Sequence, residues 1–177
     1  MFDKILAALD LNDSYEALFT QALSLAEKTK AKLVLLQALD AEGDYAAPFP
    51  YYANGYPVPL DETLWERYQS EYKARKAAGI KNLIALVEIA ADAGVEAEFI
   101  QAEGDAGRTI CKCAQQENVD LVIVGSHGRR GIEEFLMGSV SSYVMHRAPC
   151  AVMILKDQDA YAEAIENNHN VADAAAV

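Results

Sequence analysis

From position 125 the chain reads Gly125-Ser-His-Gly128-Arg-Arg-Gly131-Ile-Glu-Glu-Phe-Leu-Met-Gly138-Ser139-Val140-Ser141, a run rich in residues that suit an anionic ligand. Gly125 and Gly128 let the backbone turn sharply and approach a ligand with no Cβ in the way. Gly138 and Ser139 open a helical stretch whose leading N–H groups and positive dipole end favour negative charge. Ser126, Ser139 and Ser141 add hydroxyl donors, and Arg129 and Arg130 add positive charge. Ile132, Phe135 and Leu136, between the two halves, are suited to anchoring the segment to a core. Together these residues predict a site for a phosphate chain, which needs many donors at once.

The same residues argue against several kinds of catalysis. No Gly-x-x-x-x-Gly-Lys-[Ser/Thr] is present, and no Gly-x-Gly-x-x-Gly follows the first strand-like run. Ser126 and Ser141 lack the triad and the Gly-x-Ser-x-Gly elbow of a hydrolase. His127 has no companion close in sequence, the other histidines being His146 and His169, so backbone contribution and packing explain it better than acid–base work. A kinase or efficient ATPase needs a positioned base or water and further charge stabilisation, and no such constellation is evident. Cys111 and Cys113 stand two apart in a helical segment, where side chains diverge. With only Cys150 besides them they read as packed thiols rather than a metal or redox pair.

The elements that must hold the loop alternate between strand and helix. Lys4 to Leu9 is a short apolar run, followed by the polar turn Asp10-Leu-Asn-Asp-Ser14, with Ser14 as the expected N-cap of a helix to about Lys30. Lys32 to Leu39 is a second strand, apolar enough to be covered on both faces. A helix is expected from Asp61 to Asp92, a third strand from Val95 to Ala102, and a helix from Asp105, its N-cap, to about Asn118. Asp120 to Val124 forms the fourth strand, Ser139 to Arg147 the last helix, and Cys150 to Leu155 the fifth strand. This order predicts an α/β fold, an open Rossmann-like sheet of five mainly parallel strands with helices on both faces. In such sheets ligands sit at the carboxyl ends of the strands where the strand order reverses. That places Asp10, after strand one, opposite the glycine-rich loop after strand four.

Two segments fall outside this rhythm. Residues 41–60 hold four of the five prolines and four of the nine tyrosines, which marks a long loop suited to a lid, a partner surface or a variable insertion. Residues 157–177 are acidic and Ala-rich and read as a C-terminal tail. The chain has 177 residues, 52 % hydrophobic and 24 % charged, which predicts one globular domain. Its formal net charge of −12 argues against nucleic acid or an anionic membrane surface as a partner. The apolar runs are too short to span a bilayer, and Met1-Phe-Asp-Lys-Ile5 enters a strand without a targeting motif, so a cytoplasmic location is expected.

The full spacing Gly125-x2-Gly128-x9-Gly138-Ser139, with Asp10, Asp120-Leu-Val-Ile-Val-Gly-Ser-His-Gly128 and Ala148-Pro-Cys150-Ala-Val, resembles the universal stress protein family in its ATP-binding branch. The resemblance covers residues 1–156. It implies the strand order 3-2-1-4-5, a homodimer paired through the last strand, and ATP across the ends of strands one and four. It further implies that Ala8, Leu9 and Asp10 line the adenine and ribose side and that Ala38 touches the base. Gly125, Ser126, His127 and Gly128 would border ribose and phosphates, with Gly138, Ser139, Val140 and Ser141 around the phosphate tail. Mg²⁺ would be held mainly by the phosphates. The expected function is a nucleotide-liganded regulatory protein, read by an unidentified protein partner, with at most slow ATP hydrolysis and no catalytic residue. AMP, ADP or cyclic AMP as ligand, or an interaction protein of the same fold independent of nucleotide, are the alternatives. A nucleotide-activating synthetase fits less well, because Asp10-Leu-Asn-Asp-Ser14 is not a Ser-Gly-Gly-x-Asp-Ser loop.

Overall fold

The computed structural model describes residues 2–11, 15–39, 52–53, 56–57, 62–126 and 137–156. In chain order the elements are β1 (Lys4–Ala8), α1 (Glu16–Thr29), β2 (Lys32–Leu39), β3 (Tyr52–Ala53), β4 (Tyr56–Pro57), α2 (Glu62–Asp92), β5 (Ala97–Glu103), α3 (Ala106–Gln116), β6 (Leu121–Gly125), α4 (Ser139–Arg147) and β7 (Ala151–Leu155). Five of the strands form one sheet in the order β5-β2-β1-β6-β7, and every neighbouring pair is parallel. Counted along the chain, this is the 3-2-1-4-5 order.

Parallel strands need covered faces, and alternation along each strand supplies two apolar sets. Ile5 and Ala7 of β1, Leu33 and Leu35 of β2, and Leu121 and Ile123 of β6 are buried with Phe19, Ala22 and Ala26 of α1 and Leu83, Leu86 and Ala90 of α2. The intervening residues Leu6, Val34, Leu36, Val122 and Val124 are buried on the other face with Ile110, Cys113 and Ala114 of α3 and Val144 of α4. The sheet is therefore the middle layer of three.

The first three helices stop where a residue can turn into the left-handed region. Lys30 (φ 58°), Gly94 (φ 76°) and Asn118 (φ 51°) follow α1, α2 and α3 respectively. After α2, Gly94 N bonds Ala91 O (2.9 Å) and Val95 N bonds Ala90 O (2.9 Å), the paired bonds of a Schellman turn. That turn consumes Val95, so β5 begins at Ala97, two residues later than the pattern predicts. At the start of α3, Asp105 is the predicted cap, its carboxylate accepting from Arg108 N at 2.9 Å. Tyr15 occupies the N-cap position of α1 without a side-chain capping bond, and the expected cap, Ser14, lies outside the described residues.

Two contacts were not foreseen from local pattern. Within residues 41–60 the antiparallel pair β3–β4 forms, Tyr52 opposite Pro57 and Ala53 opposite Tyr56, and the rest of that stretch lies outside the described residues, as does the tail 157–177. In the core, Gln37 of β2 is 2 % exposed and its Oε1 accepts from Gln101 Nε2 of β5 at 2.9 Å. The same Gln101 amide donates to Lys76 O of α2 (2.9 Å), and a Cβ at Gly79 would meet the ends of this glutamine pair, so a side chain there would have to displace them.

Asp120 ties the amino ends of two central strands together. Its Oδ2 accepts from Asp3 N (2.8 Å) and Lys4 N (2.9 Å), joining the start of β1 to the residue before β6. The bonds from the Lys4 and Asp3 amides hold its carboxyl below the ordinary aspartate value. A depressed folded-state value means that this contribution is present above the unfolded pKa and is lost as pH falls through the folded one. The unfolding temperature of Asp120→Asn is thus expected below that of the unaltered chain at pH 7, with the gap closing below about pH 4; a gap independent of pH would contradict the assignment.

Gly107, in the first turn of α3, lies against the ring of Tyr143 of α4, where a Cβ would come within 2.9 Å of Tyr143 Cδ1 and 3.1 Å of its Cβ. The missing side chain sets how closely α4 sits on α3. Gly107→Leu is expected to cost about 1–3 kcal/mol in chemical unfolding through overpacking, and a stability equal to the unaltered chain would show that the helices do not depend on this contact.

Candidate functional site

The connections place a crevice at one end of the sheet. From β1 the chain passes through α1 to β2 and then through α2 to β5 on one side. It then crosses through α3 to β6, on the other edge of β1. Strand order therefore reverses between β1 and β6, where the helices leave for opposite faces of the sheet. Ala7 pairs with Ile123 in this region, so the carboxyl ends carrying Ala8–Asp10 and Gly125–Ser126 are neighbours.

The β1 side is fixed by the core. Leu9 is 4 % exposed, and its N–H donates to Leu36 O at 2.8 Å, which leads the chain out of the strand in a set direction. Ala8 is half-buried, and the next residue after Leu9, Asp10, is exposed at the rim. Ala8 pairs with Leu36, so Ala38 lies as far beyond that pair on β2 as Asp10 does beyond Ala8, and it is half-buried. The structure thus brings Ala8, Leu9, Asp10 and Ala38 to one end of two adjacent strands.

The β6 side is built from backbone bonds. Gly125 ends β6 opposite Leu155 of β7, and Ser126 N donates to Leu155 O at 2.7 Å. Ser126 O in turn accepts from Gly138 N at 2.8 Å, so the residues that precede and follow positions 127–137 are joined directly. Gly138 occupies the N-cap position of α4 at φ −55° and ψ 154°, a conformation open to any residue. Backbone strain therefore does not require a glycine there. Ser139 and Val140 are exposed in the first turn, and their N–H groups lie ahead of the first helical bond, from Ser142 N to Gly138 O (2.9 Å). Ser141, by contrast, is 2 % exposed, and its hydroxyl points back into the protein to Gly138 O (2.9 Å) and Ser126 O (3.4 Å). His127, Gly128 and Arg129 lie outside the described residues.

What this arrangement offers chemically is the helix-start amides of Ser139 and Val140 after β6 and a carboxylate, Asp10, after the neighbouring β1. Unpaired amides at a helix start suit phosphate oxygens, and Asp10 suits a hydroxyl or amino donor. Among the described residues no three His, Cys, Asp or Glu side chains gather into a metal-binding group. Burial pushes the Cys111, Cys113 and Cys150 thiols up, away from the thiolate form that reacts or binds metal. No helix among the described residues is long and apolar enough to cross a membrane.

Three positioning residues escaped sequence reasoning: Leu155, whose carbonyl holds Ser126; Leu36, whose carbonyl holds Leu9; and Tyr143, which seats α4 on Gly107. Only the last left a signal, a glycine within the first turn of a helix.

The comparisons agree with this geometry. Residues 1–156 match the universal stress protein family. The universal stress protein YxiE of Bacillus subtilis is 33 % identical over 156 residues, spanning 88 % of this chain and all (100 %) of that protein. Among solved structures, the universal stress protein UspA of Lactobacillus plantarum is 26 % identical with a TM-score of 0.63, covering 86 % of this chain and 97 % of that one. A universal stress protein in complex with cAMP shares the fold, with a TM-score of 0.60, 20 % identity and coverage of 88 % and 97 %. A match over residues 1–156, on the predicted 3-2-1-4-5 strand order, means that this chain belongs to the universal stress protein family.

Proposed function

We propose that this chain binds an adenine nucleotide, ATP foremost, in the crevice between the carboxyl ends of β1 and β6, and works as a nucleotide-liganded regulatory protein. The observation that carries this reading is the Gly138 N–Ser126 O bond of 2.8 Å, which sets the end of β6 beside the first turn of α4. The sequence pattern Gly125-x2-Gly128-x9-Gly138-Ser139 has a structural purpose if its two ends must face one ligand. Ser139 and Val140 would then offer their amides to the phosphates, while Asp10 would take the ribose or adenine donors and Ala38 the base. Mg²⁺ would be carried mainly by the phosphates.

The same site supports binding better than turnover. Backbone amides stabilise a phosphate chain in any state, whereas fast transfer needs a positioned base and charge that grows stronger in the transition state. Bound ATP would therefore persist and bias one conformation or assembly, which a protein partner reads. A second copy of the chain fits the outer edge of β7, which is unpaired among the described residues and exposes Ala151 and Met153. Cyclic AMP or AMP is the second reading, favoured by the cAMP complex of a protein with this fold.

Mass spectrometry of nucleotide released from the denatured protein, with calorimetric titration of the stripped protein, tests the reading. ATP is expected in the released fraction and as the tightest ligand, with phosphate release far slower than the roughly 1–100 s⁻¹ of kinases. Gly138→Val is expected to fold normally and to lose at least about tenfold in affinity, equivalent to about 1.4 kcal/mol. Absence of nucleotide and of binding heat would defeat the proposal, and tightest binding of cyclic AMP would select the second reading.

A further inference from the structure

Ser141 has its hydroxyl buried against backbone carbonyls. Its side chain is 2 % exposed, and its hydroxyl is turned from the crevice toward two backbone carbonyls, Gly138 O at 2.9 Å and Ser126 O at 3.4 Å. A hydroxyl carries one proton, so the shorter bond takes most of it and the longer shares it. Those two carbonyls are the ones that organise the loop ends: Ser126 O also accepts from Gly138 N (2.8 Å), and Gly138 O also accepts from Ser142 N (2.9 Å). Ser126 is itself 6 % exposed and fixed to β7 through Leu155 O (2.7 Å). One buried hydroxyl thus touches both acceptors of a closed ring that joins β7, the end of β6 and the first turn of α4.

We propose that Ser141 is a positioning residue, a clasp whose hydroxyl holds Gly138 against Ser126 and so sets the α4 amides for ligand, without contacting the ligand itself. This rests on the reading of the site as a nucleotide site. Removing the hydroxyl takes away the one proton that Gly138 O and Ser126 O share, leaving them the Ser142 and Gly138 amides alone, and the contact opens more often. Every ligand that needs the closed ring then loses the same factor in affinity, because only the closed fraction binds. A hydroxyl that instead bound the terminal phosphate would matter for ATP and not for AMP.

The test compares the unaltered chain with Ser141→Ala and Ser141→Thr, the latter retaining the hydroxyl. Affinities for ATP, ADP and AMP are measured by calorimetry, and exchange of the Gly138 amide is followed by NMR without ligand. Ser141→Ala is expected to weaken all three nucleotides by a common factor of about three to ten, the size of one lost hydrogen bond. It is also expected to speed Gly138 exchange, and Ser141→Thr to restore both. A loss confined to ATP, with Gly138 exchange unchanged, would overturn the clasp in favour of a direct ligand. So would an unprotected Gly138 amide in the unaltered chain, a result that needs no variant to fold. Failure of the unaltered chain to bind any nucleotide would defeat the reading of the site, while the ligand-free exchange comparison would still decide the clasp.

Discussion

Strand β1 lies between β2 and β6 with both of its faces under helices, so every side chain from Ile5 to Ala7 is fully buried and the strand has nowhere to move. The rest of the molecule follows from that confinement. Chain leaving β1 on one edge and returning on the other has to diverge at the carboxyl end, and divergence in a covered parallel sheet is what leaves a crevice. The Asp120 carboxylate fixes the opposite end, bonding the Asp3 and Lys4 amides and setting the relative height of β1 and β6. The relative level of the carboxyl ends of β1 and β6 is thereby set from the far side of the sheet.

The site is mostly made of main chain. Leu9, Ser126 and Gly138 are held through backbone N–H groups on the carbonyls of Leu36, Leu155 and Ser126. Bonds of this kind leave side chains free to be small, and small residues let a ligand come close to the amides that would bind it. The construction also links distant parts. Gly125 and Ser126 are in register with the end of β7, and α4 is seated on α3 through Gly107 and Tyr143. A change at the outer strand is therefore one hydrogen bond, Ser126 N to Leu155 O, from the end of β6.

Much of this was legible in the residues. Leu121 to Val124 is an unbroken apolar run and became a central strand, Asp105 capped α3 as its position suggests, and α4 spans the predicted Ser139–Arg147. Those features depend on periodicity and on groups a few residues apart, which a sequence displays directly. Gln37 was different, because a buried polar residue in an apolar strand needs a partner, and Gln101, which supplies it across the sheet, is 64 residues away. The direction of the Ser141 hydroxyl was equally hidden. Ser139 and Ser141 look alike in the motif, yet two residues of helix turn one outward to solvent and the other inward to the Ser126 and Gly138 carbonyls.

The central claim is spatial: a nucleotide belongs at the carboxyl ends of β1 and β6, against the first turn of α4. Titrating the ¹⁵N-labelled chain with Mg²⁺-ATP and following amide shifts addresses it most directly. The account predicts that Leu9, Asp10, Ser126, Ser139 and Val140 move together, while amides at the Lys32–Glu96 end of the sheet stay still. Saturable shifts centred on α2 or on that opposite end, with Ser139 and Val140 unmoved, would contradict it.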